Sequence, residues 1–284
     1  MSDQLLRIEN LMIQPTLYEK ELANQYVHSR EIYRVAVDTL EISDFSFFKN
    51  QEIIASSIAL AGFDLAIYKD KSKPQNRFKI IQLPQISLKQ TNSPINIGKI
   101  NFKDSKISIK ERIAHKDTTM QFFVNNLNCQ ILNISNHKFN NPNINVLVTG
   151  KLMGEAPINL TIKALLTTNN NNLYWEGRIG SLKFRTLDKV LYPVLGLKIL
   201  SGELNRIDFK AVSNDIESKG EMTMLYKNLH ASVLKSHTSN ENHFLTSIAN
   251  GLIHKSNPNK RGKIKSVRMY CKRDQHKGLS QFFL

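Results

Sequence analysis

Asp64 and Asp70 flank Ile67-Tyr68-Lys69, the one arrangement in the chain that resembles a carboxylate pair for general acid/base work. Strand alternation sends Asp64 to the polar face, and Asp70 opens the lysine-rich turn Lys69-Asp-Lys-Ser-Lys-Pro74, so both are expected in a solvated setting. The 8 histidines are scattered singly, and a lone histidine in a polar loop is usually solvated rather than a base. Cys129 and Cys271 have no second cysteine or histidine at metal-ligand spacing. They are expected as small buried apolar residues, with a disulfide as the alternative in an oxidising compartment. No nucleophile elbow, dinucleotide fingerprint or metalloprotease helix occurs, and Gly150-Lys-Leu-Met-Gly154 lacks phosphate-loop spacing. The expectation is a protein that is not an enzyme and uses no metal or cofactor.

Charge is the stronger chemical signal. Lys and Arg exceed Asp and Glu by 15 over 284 residues, which favours anionic partners such as lipid headgroups, lipopolysaccharide or nucleic acid. The excess concentrates between His254 and Gly278, where Lys255, Lys260, Arg261, Lys263, Lys265, Arg268, Lys272, Arg273 and Lys277 stand against Asp274 alone. Lys260, Arg261, Lys263, Lys265, Arg268, Lys272 and Arg273 are the candidates for contact with an anionic surface. The alternative is a solvated strand pair whose cations guard an exposed sheet edge. Nucleic acid is disfavoured, since no helix-turn-helix, aromatic ribonucleoprotein motif or zinc finger accompanies the charge.

The elements that position these residues are strands. Period-2 alternation puts every second side chain on one face, and it recurs in Val35 to Ile42, Phe63 to Ile67, Ile107 to Ile109, Ile144 to Val148 and Ile158 to Ile162. Trp175, Gly177 and Ile179 share a parity, as do Ile207, Phe209 and Ala211, and Met222, Met224 and Tyr226. Turn formers such as Asn140-Asn141-Pro142-Asn143 and Asn169 to Asn172 separate the runs, which describes an antiparallel meander. Helices are expected at Leu17 to Tyr26, at Phe244 to Leu252, and after a Thr186 cap, with Leu187, Val190, Leu191 and Val194 on one stripe before Pro193 and Gly196 close it. Three short helices cannot cover the apolar faces of so many strands, so the sheet must fold on itself, pack on another sheet, or keep an open apolar trough. Leu40-Glu-Ile-Ser-Asp44-Phe echoes Ile100-Asn-Phe-Lys-Asp104-Ser around a central Asp, and Leu127-Asn-Cys-Gln-Ile-Leu-Asn-Ile repeats the alternation without it.

With 41% hydrophobic and 22% charged residues the composition is that of a folded, water-facing protein. Residues Met1 to Asn10 carry no export signal, and no run of 18 apolar residues occurs. The apolar terminus Gln281-Phe-Phe-Leu284 suggests a fragment of a longer protein.

Several phrases in order resemble the AsmA-like proteins of Bacteroidetes envelopes, related to TamB and the repeating β-groove lipid-transfer proteins. They are Leu65-Ala-Ile-Tyr-Lys-Asp-Lys-Ser-Lys-Pro74, Leu152-Met-Gly-Glu-Ala-Pro-Ile158, and Gly177-Arg-Ile-Gly-Ser-Leu182 leading to Leu187-Asp-Lys-Val-Leu-Tyr-Pro193. Ser201-Gly-Glu-Leu204, Gly220 to Leu229 and Ala249 to Pro258 complete the set. The resemblance covers nearly the whole chain. It implies an all-β, mainly antiparallel fold: an elongated curled meander sheet with an apolar concave face and a few short helices. It also implies a periplasmic body anchored by one inner-membrane span, which this chain does not carry, and a role in lipid movement or outer-membrane assembly.

The chain is expected as one continuous region over 1–284, with 1–140 and 141–284 as sub-segments if it divides. The expected function is non-catalytic binding or conduction of phospholipid or another envelope lipid at a membrane surface. Ile158, Leu160, Ile162, Ile207, Phe209, Met222 and Met224 are the groove candidates. The alternative is a scaffold whose sheet edges pair with strands of outer-membrane β-proteins.

Overall fold

The computed structural model describes residues 4–47, 52–113, 118–136, 143–166, 171–233 and 255–277. Strand accounts for 63% and helix for 11%, which makes the fold all-β. One sheet holds every strand among the described residues. The N-terminal part contributes β1 (Leu5–Ile13), β2 (Glu31–Ser43), β3 (Ser46–Phe47), β4 (Ile53–Ala61) and β5 (Asp64–Asp70). The long middle strands are β6 (Ile95–Arg112), β7 (Thr119–Ser135), β8 (Asn143–Leu152) and β9 (Ala156–Leu165). The last are β10 (Leu173–Ile179), β11 (Leu182–Lys183), β12 (Leu197–Ser213), β13 (Glu217–Val233) and β14 (Ser266–Lys272). Three α-helices accompany them among the described residues: α1 (Glu19–Gln25), α2 (Pro84–Gln90) and α3 (Asp188–Leu195).

From β6 to β14 the sheet is the expected antiparallel meander. The N-terminal part departs from it. β4 and β5 are two halves of one strand position, broken at Gly62, and both run parallel to β6, while β2 pairs with both on the other side. A parallel neighbour needs a crossover, and the connection from β5 to β6 supplies it together with α2. Because β5 shares the position of β4, β3 extends β2 and β11 extends β10, the 14 strands occupy eleven positions, with β1 and β14 at the edges.

The long strands are bent by bulges. Register shifts interrupt β6/β7 around Ser105, β7/β8 after Asn125 and β12/β13 around Ser201 and Gly202. Residues there take positive φ: Asp104, Asn126, Gly202 and Asn228. A bulge bends its strand and raises the local twist, and Asp and Asn tolerate this backbone better than other side-chain-bearing residues. The echo around Asp44 and Asp104 thereby acquires a structural meaning, because both aspartates adopt left-handed backbone.

The helices differ from expectation in detail. α1 falls within Leu17 to Tyr26, whereas Phe244 to Leu252 lies outside the described residues. Thr186 does not cap α3. It lies in a 3-10 turn over Phe184–Leu187 and donates from Oγ1 to Glu155 Oε2 at 2.8 Å, while the Asp188 carboxylate accepts the Ile199 N–H at 2.9 Å. Gly196 closes α3 with φ 66°, donating its N–H to Tyr192 O. α2 carries Pro84 in its first turn and is too short at 7 residues for periodicity to reveal.

Asp70 is not solvated. Its residue is 3% exposed at the end of β5, accepting from Ser72 N–H at 2.8 Å and from the Ser72 hydroxyl, and facing Arg112 at 3.4 Å. Burial pushes its carboxyl up, but the Ser72 hydrogen bonds and the Arg112 guanidinium together hold it below the usual carboxylate value. Asp64 stays on the exposed side, ion-paired with Lys106 at 3.3 Å. The two carboxylates belong to separate ion pairs and form no acid/base couple.

Candidate functional site: an apolar stripe across the sheet

Residues directly opposite each other on paired strands share a face, so the register can be followed from edge to edge. From β1 the line runs Ile8, Leu40, Leu60, Phe102 and Cys129. It continues through Val148, Leu160, Gly177, Phe209, Met222 and Val267 on β14. The neighbouring line starts Leu6, Ile42, Ile58, Ile100, Ile131 and Val146, then passes Ile162, Trp175, Ala211 and Gly220 to Met269. Neither line contains a polar side chain. Crossing ten gaps of about 4.8 Å each, the stripe extends roughly 48 Å along the sheet.

The helices pack on this face at two places. α3 touches both β7 and β12, which stand four positions apart. A flat sheet would separate them by about 19 Å, more than the roughly 10–12 Å width of a helix, so the sheet curls around α3 and the apolar face is concave there. Phe184, fully buried, sets its ring edge-on to Tyr226 at 5.8 Å and joins this plug to β13. α2 brings Leu83 and Ile86 against Ile144, Ala164, Leu173 and Cys271 in a second core. Between and beyond the two plugs the stripe is only half buried, at Ile158, Leu160, Ile162 and Val148 and at Leu40, Ile42, Ile58, Leu60 and Ile100.

All seven groove candidates lie on this face, but they divide. Ile158, Leu160, Ile162 and Phe209 are half-buried, whereas Ile207, Met222 and Met224 are 3%, 1% and 2% exposed and form closed core. Those three are corrected from groove lining to packing. The Phe209 ring lies over Gly177, where an added Cβ would meet its Cζ at 2.5 Å, and sits 5.5 Å from the Trp175 ring. The row contains a glycine because an aromatic from the next strand fills its place. Burial pushes the Cys129 thiol up to about 11, and burial also raises that of Cys271; both cysteines are free.

The opposite face is polar. Clefts of about 620 Å³ and 460 Å³ there are lined by Thr161, Glu176, Lys210 and Glu221, with Arg178 and Asp208 paired at 2.6 Å in the larger. Cations and carboxylates alternate, so neither cleft selects one charge. Among the described residues no group of His, Cys, Asp and Glu could hold a metal ion.

The basic candidates also divide. Asn257, 5% exposed, bonds through its side chain to Met224 O, Lys265 O and Lys265 N–H, and Asn259 Oδ1 accepts the N–H groups of Arg261 and Lys263. These two asparagines hold a defined loop from which Lys260, Arg261, Lys263 and Lys265 project, with Arg268 and Lys272 exposed on the adjoining edge strand β14. Arg273 is not a surface residue. Its side chain is 0% exposed, pairs with Asp215 and donates to Ile81 O, tying β14 to the segment before α2. Arg273→Leu is expected to destabilise the fold by about 2 kcal/mol, less than a fully buried pair because Asp215 is partly exposed. The urea midpoint measures the loss, and hydrogen exchange at the Ile81 amide, bonded to Gln275 O at 2.8 Å, should accelerate with it.

Replacing Lys260, Arg261, Lys263 and Lys265 with Gln is expected to weaken binding to anionic vesicles at low salt and to leave circular dichroism unchanged. Added salt should bring the parent to the same weak binding, because surface attraction is screened within about 10 Å at 0.1 M. Equal binding of parent and variant at every salt concentration would reduce the loop to edge protection.

The stripe owed its detection to strand periodicity alone. Leu40 and Ile42 lie in a run whose alternation is visible in the sequence, whereas Leu6, Ile8, Ile58 and Leu60 carried no expectation, and their alignment with β6 depends on a parallel pairing that leaves no local signal. No protein-family model matches the chain, and no curated protein matches it in sequence.

Proposed function

We propose that the chain is a non-catalytic lipid-binding module of the AsmA/TamB-like envelope kind, whose apolar stripe shields acyl chains of phospholipid or another envelope lipid. The observation that carries this reading is the pair of apolar lines unbroken across eleven strand positions and half-exposed where no helix covers them. Shielding is the mechanism, and no bond is made or broken. At about 0.8 kcal/mol per buried CH₂, ten methylenes laid along the stripe offset roughly 8 kcal/mol of the cost of leaving a bilayer. Where no helix covers the stripe, an acyl chain passes from one strand position to the next without meeting a polar side chain. Periplasmic location belongs to the same proposal; no described helix is long and apolar enough to cross a membrane.

The test is native mass spectrometry of the protein purified from a bacterial host. Bound phospholipid, released by mild detergent, is the expected result. A lipid-free protein that also fails to take up fluorescent phospholipid would overturn the reading. A second reading, a scaffold that accepts a client strand, is favoured by β1, an edge strand with Leu5, Met12 and Ile13 about 60% exposed.

A further inference from the structure

The segment between β5 and α2 is a strap tied down on both sides of its apex. At its base Ser29 N–H donates to Pro74 O at 2.8 Å, and Lys73 Nζ donates to Asn24 O at 3.0 Å and to Tyr26 O. Past the apex, Lys79 O lies 3.1 Å from His276 Nδ1, the Ile81 N–H donates to Gln275 O, and Leu83 is fully buried. Between these ties Asn76 Oδ1 accepts the Phe78 N–H at 2.9 Å and fixes a turn. The product of this bonding is an aromatic ring in water: Phe78 is 93% exposed and Ile80 62%.

The surroundings are basic. Residues 71–82 contain Lys71, Lys73, Arg77 and Lys79 and no carboxylate; Lys71 is ion-paired with Glu111 and Lys73 is bound to backbone carbonyls, which leaves Arg77 and Lys79 at the apex. Arg77 and Lys79, on either side of Phe78, are exposed and have no ion-pair partner among the described residues. The neighbouring loop, bridged to the strap at Ser29 and Gln75, adds Val27 at 77% exposure. A single exposed apolar side chain needs no explanation. Phe78 and Ile80 on one strap, interleaved with Arg77 and Lys79 and with the Phe78 N–H held by Asn76, form a surface with a definite complement.

We propose that the strap apex, Arg77 to Ile80, is a membrane hook that inserts Phe78 and Ile80 into the interface of an anionic bilayer while Arg77 and Lys79 contact lipid phosphates. An aromatic ring is at home at the headgroup boundary, and cations beside it gain from the negative surface potential. A protein groove would satisfy the apolar residues equally but gives no reason for an all-cationic flank. The hook rests on the membrane-facing part of the function proposed above and does not require lipid in the stripe. It differs from the loop at Asn257 to Lys265, which presents charge without exposed aromatic residues.

The experiment uses the full chain with Phe78→Trp and vesicles of phosphatidylglycerol and phosphatidylcholine in equal parts, or of phosphatidylcholine alone. Trp175 is 6% exposed but stands on the stripe, so the hook signal is the difference between the Phe78→Trp variant and the parent under the same vesicles. The new emission should shift to the blue and be quenched by brominated acyl chains on the anionic vesicles only. Phe78→Asp with Ile80→Asp should weaken partitioning about tenfold at any salt, and Arg77→Gln with Lys79→Gln should weaken it only at low salt. Neither pair enters the strap's ties through its side chains, so circular dichroism should not change. Vesicle binding with unshifted, unquenched emission, or unaffected by the Asp pair, would overturn the hook while leaving the basic loop as the contact. Loss of a captured protein partner in the Asp pair with vesicle binding intact would overturn it in favour of a protein site. No binding to either vesicle, with no lipid co-purifying, would overturn hook and function together.

Discussion

Photo-crosslinkers placed at Leu160 and Ile100 capture co-purifying phospholipid, and those at Thr161 and Asn101 do not: this is the largest contrast the proposed function predicts. The members of each pair are adjacent in sequence, with Cα atoms about 3.8 Å apart. They differ only in the face to which the strand turns them. Leu160 and Ile100 stand on the half-buried stripe, one on each of its two neighbouring lines and three strand positions apart, whereas Thr161 and Asn101 face the polar side. Capture at all four positions, or at none, would remove the lipid stripe. Asp substitutions at Leu160 and Ile100 are expected to abolish capture while the spectrum stays β-like, because a wetted trough tolerates a charge that packed core does not. Cys129 offers a check without any mutation, since it lies in the stripe between Phe102 and Val148. With its thiol pushed up to about 11 it should react slowly with alkylating probes at neutral pH, faster after lipid is stripped, and slowly again when phospholipid is restored.

Phe184→Ala should cost about 3–5 kcal/mol, the largest single-residue loss of stability expected in the molecule. The ring is fully buried, meets Tyr226 edge-on and lies beside Gly202, whose bulged backbone leaves room for it. It joins the 3-10 turn before α3 to the inner faces of β12 and β13, so its removal leaves a cavity where the helix and sheet meet. A drop in the urea midpoint, with little change in vesicle binding at temperatures where the variant remains folded, separates this role from the surface sites. A loss under 1 kcal/mol would mean that α3 is not the closure of that end of the trough. Leu160→Ala, at a half-buried position of the same face, should cost much less, and the difference measures how far the stripe is from closed core.

Strand content and face assignment were legible in the sequence because the side-chain period of a strand is local. From Ile158 to Ile162, and at Ile207, Phe209, Met222 and Met224, parity alone put the apolar residues on one face, and the register agrees in every strand pair that joins them. What parity could not say is which of them would be covered. Met222 and Leu160 share one cross-strand line, yet one is closed core and the other half-open. The difference arises from where α2 and α3 each pack on the curled sheet, through contacts between residues distant in the chain. Arg273 reads as one more cation in a basic run, and only the approach of Asp215 and Ile81 makes it a buried clasp. Asp70 reads as a turn residue, and Arg112 from a parallel strand helps to make it a buried ion. The parallel insertion of β6 beside β4 and β5 decided the length of the stripe, because strand order depends on which distant edges pair, and alternation along each strand is the same whichever neighbour it finds.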